Sequence, residues 1–507
     1  MASSRKDDGL QPKGSVERLV AVSNRLPIAV QRKSGGWQVQ PGSGGLVTAI
    51  TPVLKNRGGL WIGWSGTTEE VDWGDELDIA SQKSGYRIHP VTLTPDELQN
   101  FYFGFANEVI WPLFHDLTTR CNFNPEYWYY YLQVNDKYAE TIGKHSLPTD
   151  YIWVQDYHLI AVAQMLRKRR IARRMGFFLH IPFPSPDVFM RLPWRAQLLR
   201  AMLEYDLLGF QTIRDRRNFI HCLQYISPDL KTVGRGDVVT LQVDGRTVRI
   251  GAFPISIDYD HFCTSSAASS VQTKLHWLKE SMAGSQIILG VDRLDYTKGL
   301  PERLRSFQLA LERHPDLHRK LTLVQVLVPS RTDVPEYQQL KSEVERLVGE
   351  INGQFTYGGW APVLYMFRNL QSDELLAYYR AAQIALVTPI KDGMNLVAKE
   401  YCACNLDEEG VLILSEFAGA AAQLQKNAIL VNPHDIEGVA EAIYRAFTMD
   451  PEEKKARMRR ARDSIKKNNI FSWVDSYLAA AFSKKLNDFP KEAEYVPDIS
   501  LGRESES

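Results

Sequence analysis

The 507-residue chain predicts an α/β protein of two doubly wound domains facing each other across a deep cleft. Three observations lead there. Apolar strand-like runs alternate with amphipathic stretches, the pattern of βαβ units and parallel sheets. The chain is far longer than a single hydrophobic core supports. The alternation breaks once, near residue 270, between two such series.

Residues 1–17 are polar and without an apolar stretch, so they read as a loose tail with no signal peptide. The first domain is expected over 18–270. Its alternating segments are RLVAVSNRL, GLVTAITPVLKN, GLWIGWSG, the helical TPDELQNFYFGFANEVIWPLFH, YIWVQD, HLIAVAQMLRKRR, MGFFLHIPF and DLLGF. Residues 238–249, with DGR at the centre, predict a hairpin, and GAFPISIDYDHF then predicts a crossover. The second domain is expected over 271–469, with strands in SQIILGVDRL, LTLVQVLVP, IALVTPI, GVLILSEF and AILVNP. These are nearly continuously apolar, as strands covered on both faces are. A last helix is expected over 470–487 and a second loose tail over 488–507.

Composition narrows the function. Lys plus Arg and Asp plus Glu each total 60, so no net charge draws the chain toward nucleic acid or acidic lipid. No segment reaches the length of a membrane span. The five cysteines, Cys121, Cys222, Cys263, Cys402 and Cys404, are too few and scattered for a disulfide framework, and reduced thiols fit a cytoplasmic protein. They also lack zinc spacing. Asp258-Tyr259-Asp260 is a DxD triplet, but it lies in the crossover and reads as structural.

In open α/β sheets ligands sit beyond the carboxyl ends of strands, so the loops there carry the candidates. After the first strand of the second domain comes Asp292-Arg293-Leu294-Asp295-Tyr296-Thr297-Lys298-Gly299; Arg293 and Lys298 can grip a diphosphate, or can simply be solvated. After IALVTPI comes Lys391-Asp392-Gly393-Met394-Asn395-Leu396-Val397-Ala398-Lys399-Glu400. Gly393 allows a close backbone approach, the N–H groups of Met394 to Val397 suit an anion, and Glu400 can accept ribose hydroxyls. In the first domain Arg25 ends VSNRLP, and Gly42, Gly44 and Gly45 precede a helix without a P-loop or dinucleotide spacing. Asp156 and His180, at two further strand ends, can orient a sugar hydroxyl or be a capping Asp and a core His. Tyr102 and Trp111, nine residues apart in an aromatic-rich helix, and Arg331 in PSRTD, complete the set.

Together these residues resemble the trehalose-6-phosphate synthase family, glycosyltransferase family 20, in its fungal-type synthase subunit without a phosphatase half. VSNRLP, GGLWIGWSG, WVQDYHL, GFFLHIPFPSP, VDRLDYTKGLPERL, PSRTD, VTPIKDGMNLVAKEY and LSEFAGAA stand in order between about residues 18 and 487. The resemblance implies a GT-B fold, with two Rossmann-like domains and a terminal helix returning to the first. It implies a retaining transfer of glucose from UDP-glucose to glucose 6-phosphate, needing neither metal nor cofactor. It assigns Arg293 and Lys298 to the UDP diphosphate, Asp392 to the donor glucose, and Gly393 to Val397 with Glu400 to the nucleotide. Gly45 lines the donor side. Arg25, Tyr102, Trp111 and Arg331 hold glucose 6-phosphate, with Asp156 near its reacting hydroxyls and His180 near the transferred glucose. It also implies a homo-oligomer and a complex with phosphatase and regulatory subunits. Rival readings are a sister transferase with another phosphorylated acceptor and a catalytically silent sugar-phosphate sensor.

Overall fold

A computed structural model describes residues 18–33, 36–41, 45–71, 73, 76–234, 236–282, 284–331, 334–483, 492–495 and 497. The expected N-terminal tail, Gly42 and Gly44 lie outside these residues. Two open sheets dominate. The first has nine strands in the order Arg87–Val91, Leu60–Trp64, Leu19–Arg25, Tyr151–Gln155, Arg174–Phe178, Leu207–Phe210, Arg246–Ala252, Val238–Val243, Thr232–Val233. The first seven run parallel and the last two pair antiparallel. The second sheet is parallel throughout, in the order Val363–Phe367, Leu321–Val328, Gln286–Arg293, Ile384–Val387, Val411–Ser415, Ile429–Val431. Central strands such as Tyr151–Gln155 and Val411–Ser415 are buried at every residue, which is why they read as unbroken apolar runs.

The expected hairpin forms, with Val243 opposite Arg246 and the two turn residues, Asp244 and Gly245, at φ 48° and 75°. Positive φ at both positions gives the turn that matches strand twist. Elements not anticipated include the edge strands Arg87–Val91, Thr232–Val233 and Val363–Phe367, the helix Pro125–His145, and a separate polar hairpin, Ile28–Lys33 with Gly36–Pro41. Asp258 of the DxD caps the Tyr259–Ser266 helix, its Oδ1 accepting the His261 N–H at 3.0 Å.

The helix Ile470–Phe482 crosses back from the second sheet to the first. Tyr477 stacks on Trp153 with ring centroids 4.4 Å apart, and Trp473 lies 5.1 Å from the same ring. Gly176 and Gly209 make this possible, since a Cβ on either would collide with Tyr477. The helix's last carbonyls are met by Arg174 at Ala481 and Arg249 at Ala480. Residues 484–487 of the expected helix lie outside the described set. The loose-tail expectation for 488–507 needs one correction: residues 492–495 are docked between the sheets. The Glu492 N–H donates to Asp237, Glu494 pairs with Arg217 at 2.7 Å, and Tyr495 donates to Glu416 at 2.8 Å. Local polar composition does not register such partners, which lie far away in the chain.

Tyr477→Ala is expected to remove about 3 kcal/mol or more of stability, the scale of a buried aromatic truncation. Urea unfolding followed by tryptophan fluorescence checks this, and a loss below about 1 kcal/mol would contradict the docking role.

Candidate functional site

Topology alone brings the candidates together. In the first sheet the chain enters at Leu19–Arg25, winds to one side, and resumes on the other at Tyr151–Gln155. The crevice at that switch receives Arg25 and Asp156. The second sheet repeats the plan at Gln286–Arg293 and Ile384–Val387, whose ends supply Arg293 and, after a short loop, Asp392.

On the second-domain side, Lys298 Nζ reaches Asp392 Oδ2 at 2.5 Å, and Asn395 Nδ2 donates to the same oxygen at 3.2 Å. Burial works against the Asp392 charge, but Lys298 beside it outweighs burial and holds the carboxyl below its ordinary value. The turn carrying Lys298 closes at Gly299, φ 62°, where a Cβ would strike the Thr388 carbonyl. The helix after the Asp392 loop begins at Leu396, later than expected. Asn395, at φ 71°, is its cap and accepts from Ala398 N–H, while Met394 N–H is taken by Asp392 Oδ1 at 3.3 Å. Of the four N–H groups expected free at this start, that of Met394 is therefore already taken. Glu400, one turn on, accepts from Tyr379 OH at 2.8 Å, and burial raises its pKa. It lines a cavity of about 460 Å³ with Asn369, Leu370, Gln371, Leu376 and Leu396. Among these, Asn369 to Gln371 and Leu376 carried no sequence signal. Gly45 opens the helix Gly45–Arg57.

The opposite side is aromatic and cationic. Arg25 lies over Trp64, its Cζ 4.3 Å from the ring centroid, against the backbone of Gly66, where any Cβ would overlap the guanidinium. The Leu98–Ile110 segment is wound as a π-helix, and Trp111 N–H bonds back to Ala106 O, five residues earlier. This winding matters. Nine residues of α-helix make about two and a half turns and would put Tyr102 and Trp111 on opposite faces. At roughly 4.4 residues per turn they make about two, and both face the cleft. Arg331, at φ 50°, lies 5.0 Å over Trp111, interacts electrostatically with Tyr102, and sits 3.6 Å from Asp295. Arg293 approaches the same indole at 6.0 Å. Burial would raise the pKa of Asp295, but Arg331, Arg293 and Lys298 together hold it down.

His158 was missed by the sequence reading. It stacks on Tyr102 with centroids 5.7 Å apart, and neither ring nitrogen has a partner among the described residues. Burial, with Arg331 and Arg25 adding to it, lowers its pKa to about 3. WVQDYHL contained it, but a His beside a functional Asp gave no way to choose between ligand contact and core.

Asp156 and His180 join the two sides. Asp156, at φ 71°, accepts the His180 backbone N–H at 3.1 Å, and burial pushes its carboxyl up to about 7 despite the opposing Arg293 charge. The His180 carbonyl packs against Gly393 of the other domain so closely that a Cβ there would overlap it. Lys391 reaches across to Asp116. Arg25, Tyr102, Trp111, Asp156, Arg293, Lys298, Arg331 and Asp392 thus neighbour one another across the two domains, whereas Glu400 lines a cavity at the far end of its helix's first turn. Arg25 and Arg293 make no ion pair among the described residues.

A family model for glycosyltransferase family 20 matches residues 17–482. A trehalose-6-phosphate synthase of Mycolicibacterium smegmatis is 41% identical over 469 residues, 91% of this chain and 92% of that protein. The alpha,alpha-trehalose-phosphate synthase [UDP-forming] A of Dictyostelium discoideum is 39% identical over 93% of this chain, which spans 62% of its length. Among solved structures, a UDP-forming synthase from Burkholderia xenovorans in complex with glucose 6-phosphate superposes with TM-score 0.81 at 35% identity, covering 92% of this chain and 99% of that one. An E. coli structure with UDP-2-fluoro glucose bound gives 0.82 at 37%, with coverage of 92% and 99%. The two-domain GT-B fold expected from the sequence is the fold observed.

Gly393→Ala is expected to wedge the domains apart and cut turnover at least about ten-fold while leaving thermal stability nearly unchanged, because a misplacement on the 1 Å scale is costly to positioned reactants. Turnover within two-fold of wild type would contradict the role given to this contact.

Proposed function

The chain belongs to glycosyltransferase family 20, and we propose that it transfers glucose from UDP-glucose to glucose 6-phosphate, giving α,α-trehalose 6-phosphate and UDP with retention at the anomeric carbon. The observation that carries this is the pairing of two anion-ready centres in one closed cleft. Lys298 meets Asp392 just ahead of the helix Leu396–Cys404, Arg293 ends its strand five residues before Lys298, and Leu396 and Glu400 of that helix line a nucleoside-sized cavity. Arg25 and Arg331 stand by Tyr102, Trp64 and Trp111. One centre suits a diphosphate and the other a monophosphate.

Arg293 and Lys298 neutralise the diphosphate as charge develops on it, and the Leu396 and Val397 N–H groups receive its oxygens. Glu400 takes the ribose hydroxyls. Asp392, held by Lys298 and Asn395, is placed for the donor glucose. Across the cleft, the Arg25 and Arg331 guanidiniums bind the acceptor phosphate with Tyr102, and Trp111 supplies an apolar face to the sugar. Asp156 meets the acceptor hydroxyls, and His180 lies beside the transferred glucose. With both sugars held, attack becomes effectively intramolecular. The departing phosphate oxygen takes the acceptor proton, so the reaction runs with no carboxylate nucleophile and without metal. Domain closure keeps out water, whose attack would waste the donor. The same reading places the protein in the cytoplasm as a homo-oligomer, with phosphatase and regulatory subunits as partners. Among the described residues no helix is long and apolar enough to cross a membrane.

The test is UDP release from UDP-glucose with and without glucose 6-phosphate, in EDTA, with the product identified by mass and phosphatase digestion. Acceptor-dependent release of a phosphorylated non-reducing disaccharide is expected. Saturable binding of both ligands without release, or release only with another acceptor, would overturn the reading. Arg293→Ala and Lys298→Ala should each lower kcat by roughly two to three orders of magnitude, the scale of losing a donor to developing charge; near-wild-type kinetics would refute that role. Arg331→Ala should chiefly raise KM for glucose 6-phosphate, and an unchanged acceptor KM would contradict its assignment.

A further inference from the structure

His180 is held by two glutamines that the proposed chemistry does not use. Gln211, directly after the Leu207–Phe210 strand, is 1% exposed. Its Oε1 accepts the Ile255 backbone N–H at 3.0 Å. A backbone N–H only donates, so this bond fixes which way the Gln211 amide points. The amide nitrogen then faces His180 Nδ1, 3.5 Å away. An amide nitrogen also only donates, so Nδ1 must be the bare acceptor and the ring proton must sit on Nε2. Nε2 in turn donates to Gln155 Oε1 at 2.9 Å. That bond turns the Gln155 Nε2 away, and it has no partner among the described residues.

The line of bonds extends into the other domain. The Ile255 carbonyl accepts from Lys399 Nζ at 2.8 Å, and Lys399 immediately precedes Glu400 on the helix at the nucleotide cavity. Ile255 itself belongs to the crossover joining the domains, so the orientation of His180 is tied to the seating of that crossover.

From this geometry we infer that Gln211 is a positioning residue, fixing His180 in the neutral Nε2–H tautomer and coupling that tautomer to the interdomain crossover. The significance for catalysis rests on the reading of His180 as a neighbour of the transferred glucose. Around the ring, Phe178 at 4.7 Å and Trp473 at 6.2 Å carry no charge, and neither glutamine titrates. The titratable neighbour is Asp156, which is bonded to the His180 backbone N–H rather than to the ring. Burial keeps the imidazole neutral, its pKa lowered to about 3.

The test uses the full chain labelled with ¹⁵N-histidine, the His180 signals being identified by their loss in His180→Gln. In the wild type at pH 7, Nδ1 is expected unprotonated and Nε2 protonated; a proton on Nδ1 overturns the inference however the variants behave. Gln211→Glu keeps an acceptor for Ile255 N–H but presents a carboxylate oxygen to Nδ1. It should move the ring proton to Nδ1 or make the ring an imidazolium, and lower kcat about ten-fold or more, the scale seen when the outer hydrogen-bond partner of a metal-bound imidazole is lost. KM for glucose 6-phosphate should stay within about two-fold. A raised His180 pKa means protonation as pH falls, so this variant's kcat should gain an acid limb beyond any that Asp156 gives the wild type. Gln211→Met, of similar size but unable to make either bond, separates loss of the bonds from a change of charge: it should lose stability, since the Ile255 N–H is left unpaired, but should show no added acid limb. Wild-type spectra and kcat in Gln211→Glu would overturn the inference. A protein that released no UDP at all would sink the functional reading, while the spectra would still decide the tautomer.

Discussion

The contact on which the rest of the cleft depends is the one between the His180 carbonyl and Gly393, where one domain's backbone lies against the other's with no room for a Cβ. Only at that distance do Lys391 and Asp116 pair across the gap, and only then do Arg293 and Arg331, from the second domain, reach the face of Trp111 in the first. Two separated half-sites would each hold solvated cations of little consequence. Brought together with water excluded, the same charges act at low effective dielectric, where their grip on phosphate is far stronger. Gly419 supports the arrangement from behind, since a Cβ there would strike the Gly393 carbonyl.

The charge balance follows from this packing. Lys298 is neutralised by Asp392 and Arg331 is partly offset by Asp295, whereas Arg25 and Arg293 rest on indole faces. An aromatic face stabilises a guanidinium by about 1 kcal/mol without consuming its N–H donors. Cations held in this way keep all their donors for an anionic ligand, whereas Lys298 and Arg331 share theirs with Asp392 and Asp295. The π-winding of Leu98–Ile110 serves the same end by turning Tyr102 and Trp111 to a common side.

Much of this was legible in the sequence because parallel strands buried on both faces leave unbroken apolar runs, and the loops after them hold the polar residues. Arg25, Asp156 and Arg293 were singled out by that logic, while Asp392 stood in one of the same loops and owed its role to the family resemblance. The edge strands Arg87–Val91 and Val363–Phe367 were not, since RIHPV contains a proline and VLYMF is half-exposed, so neither shows a buried strand's pattern. The helix start at Leu396 was misplaced by two residues because Asn395 adopts a left-handed cap that spacing does not reveal. No periodicity could disclose the π-winding in a segment apolar nearly all round. Gln155, Gln211 and His158 were invisible for a different reason: their roles lie in which atom faces which neighbour, and those neighbours are distant in the chain.

The most direct test of the central claim is a crystal structure of the protein with UDP and glucose 6-phosphate bound together. The account predicts the diphosphate between Arg293, Lys298 and the Leu396–Val397 N–H groups, and the sugar phosphate within hydrogen-bond distance of Arg25 and Arg331, in one cleft closed at His180 and Gly393. A phosphate seated away from Arg25 and Arg331, or both ligands held with the domains parted at Gly393, would contradict it.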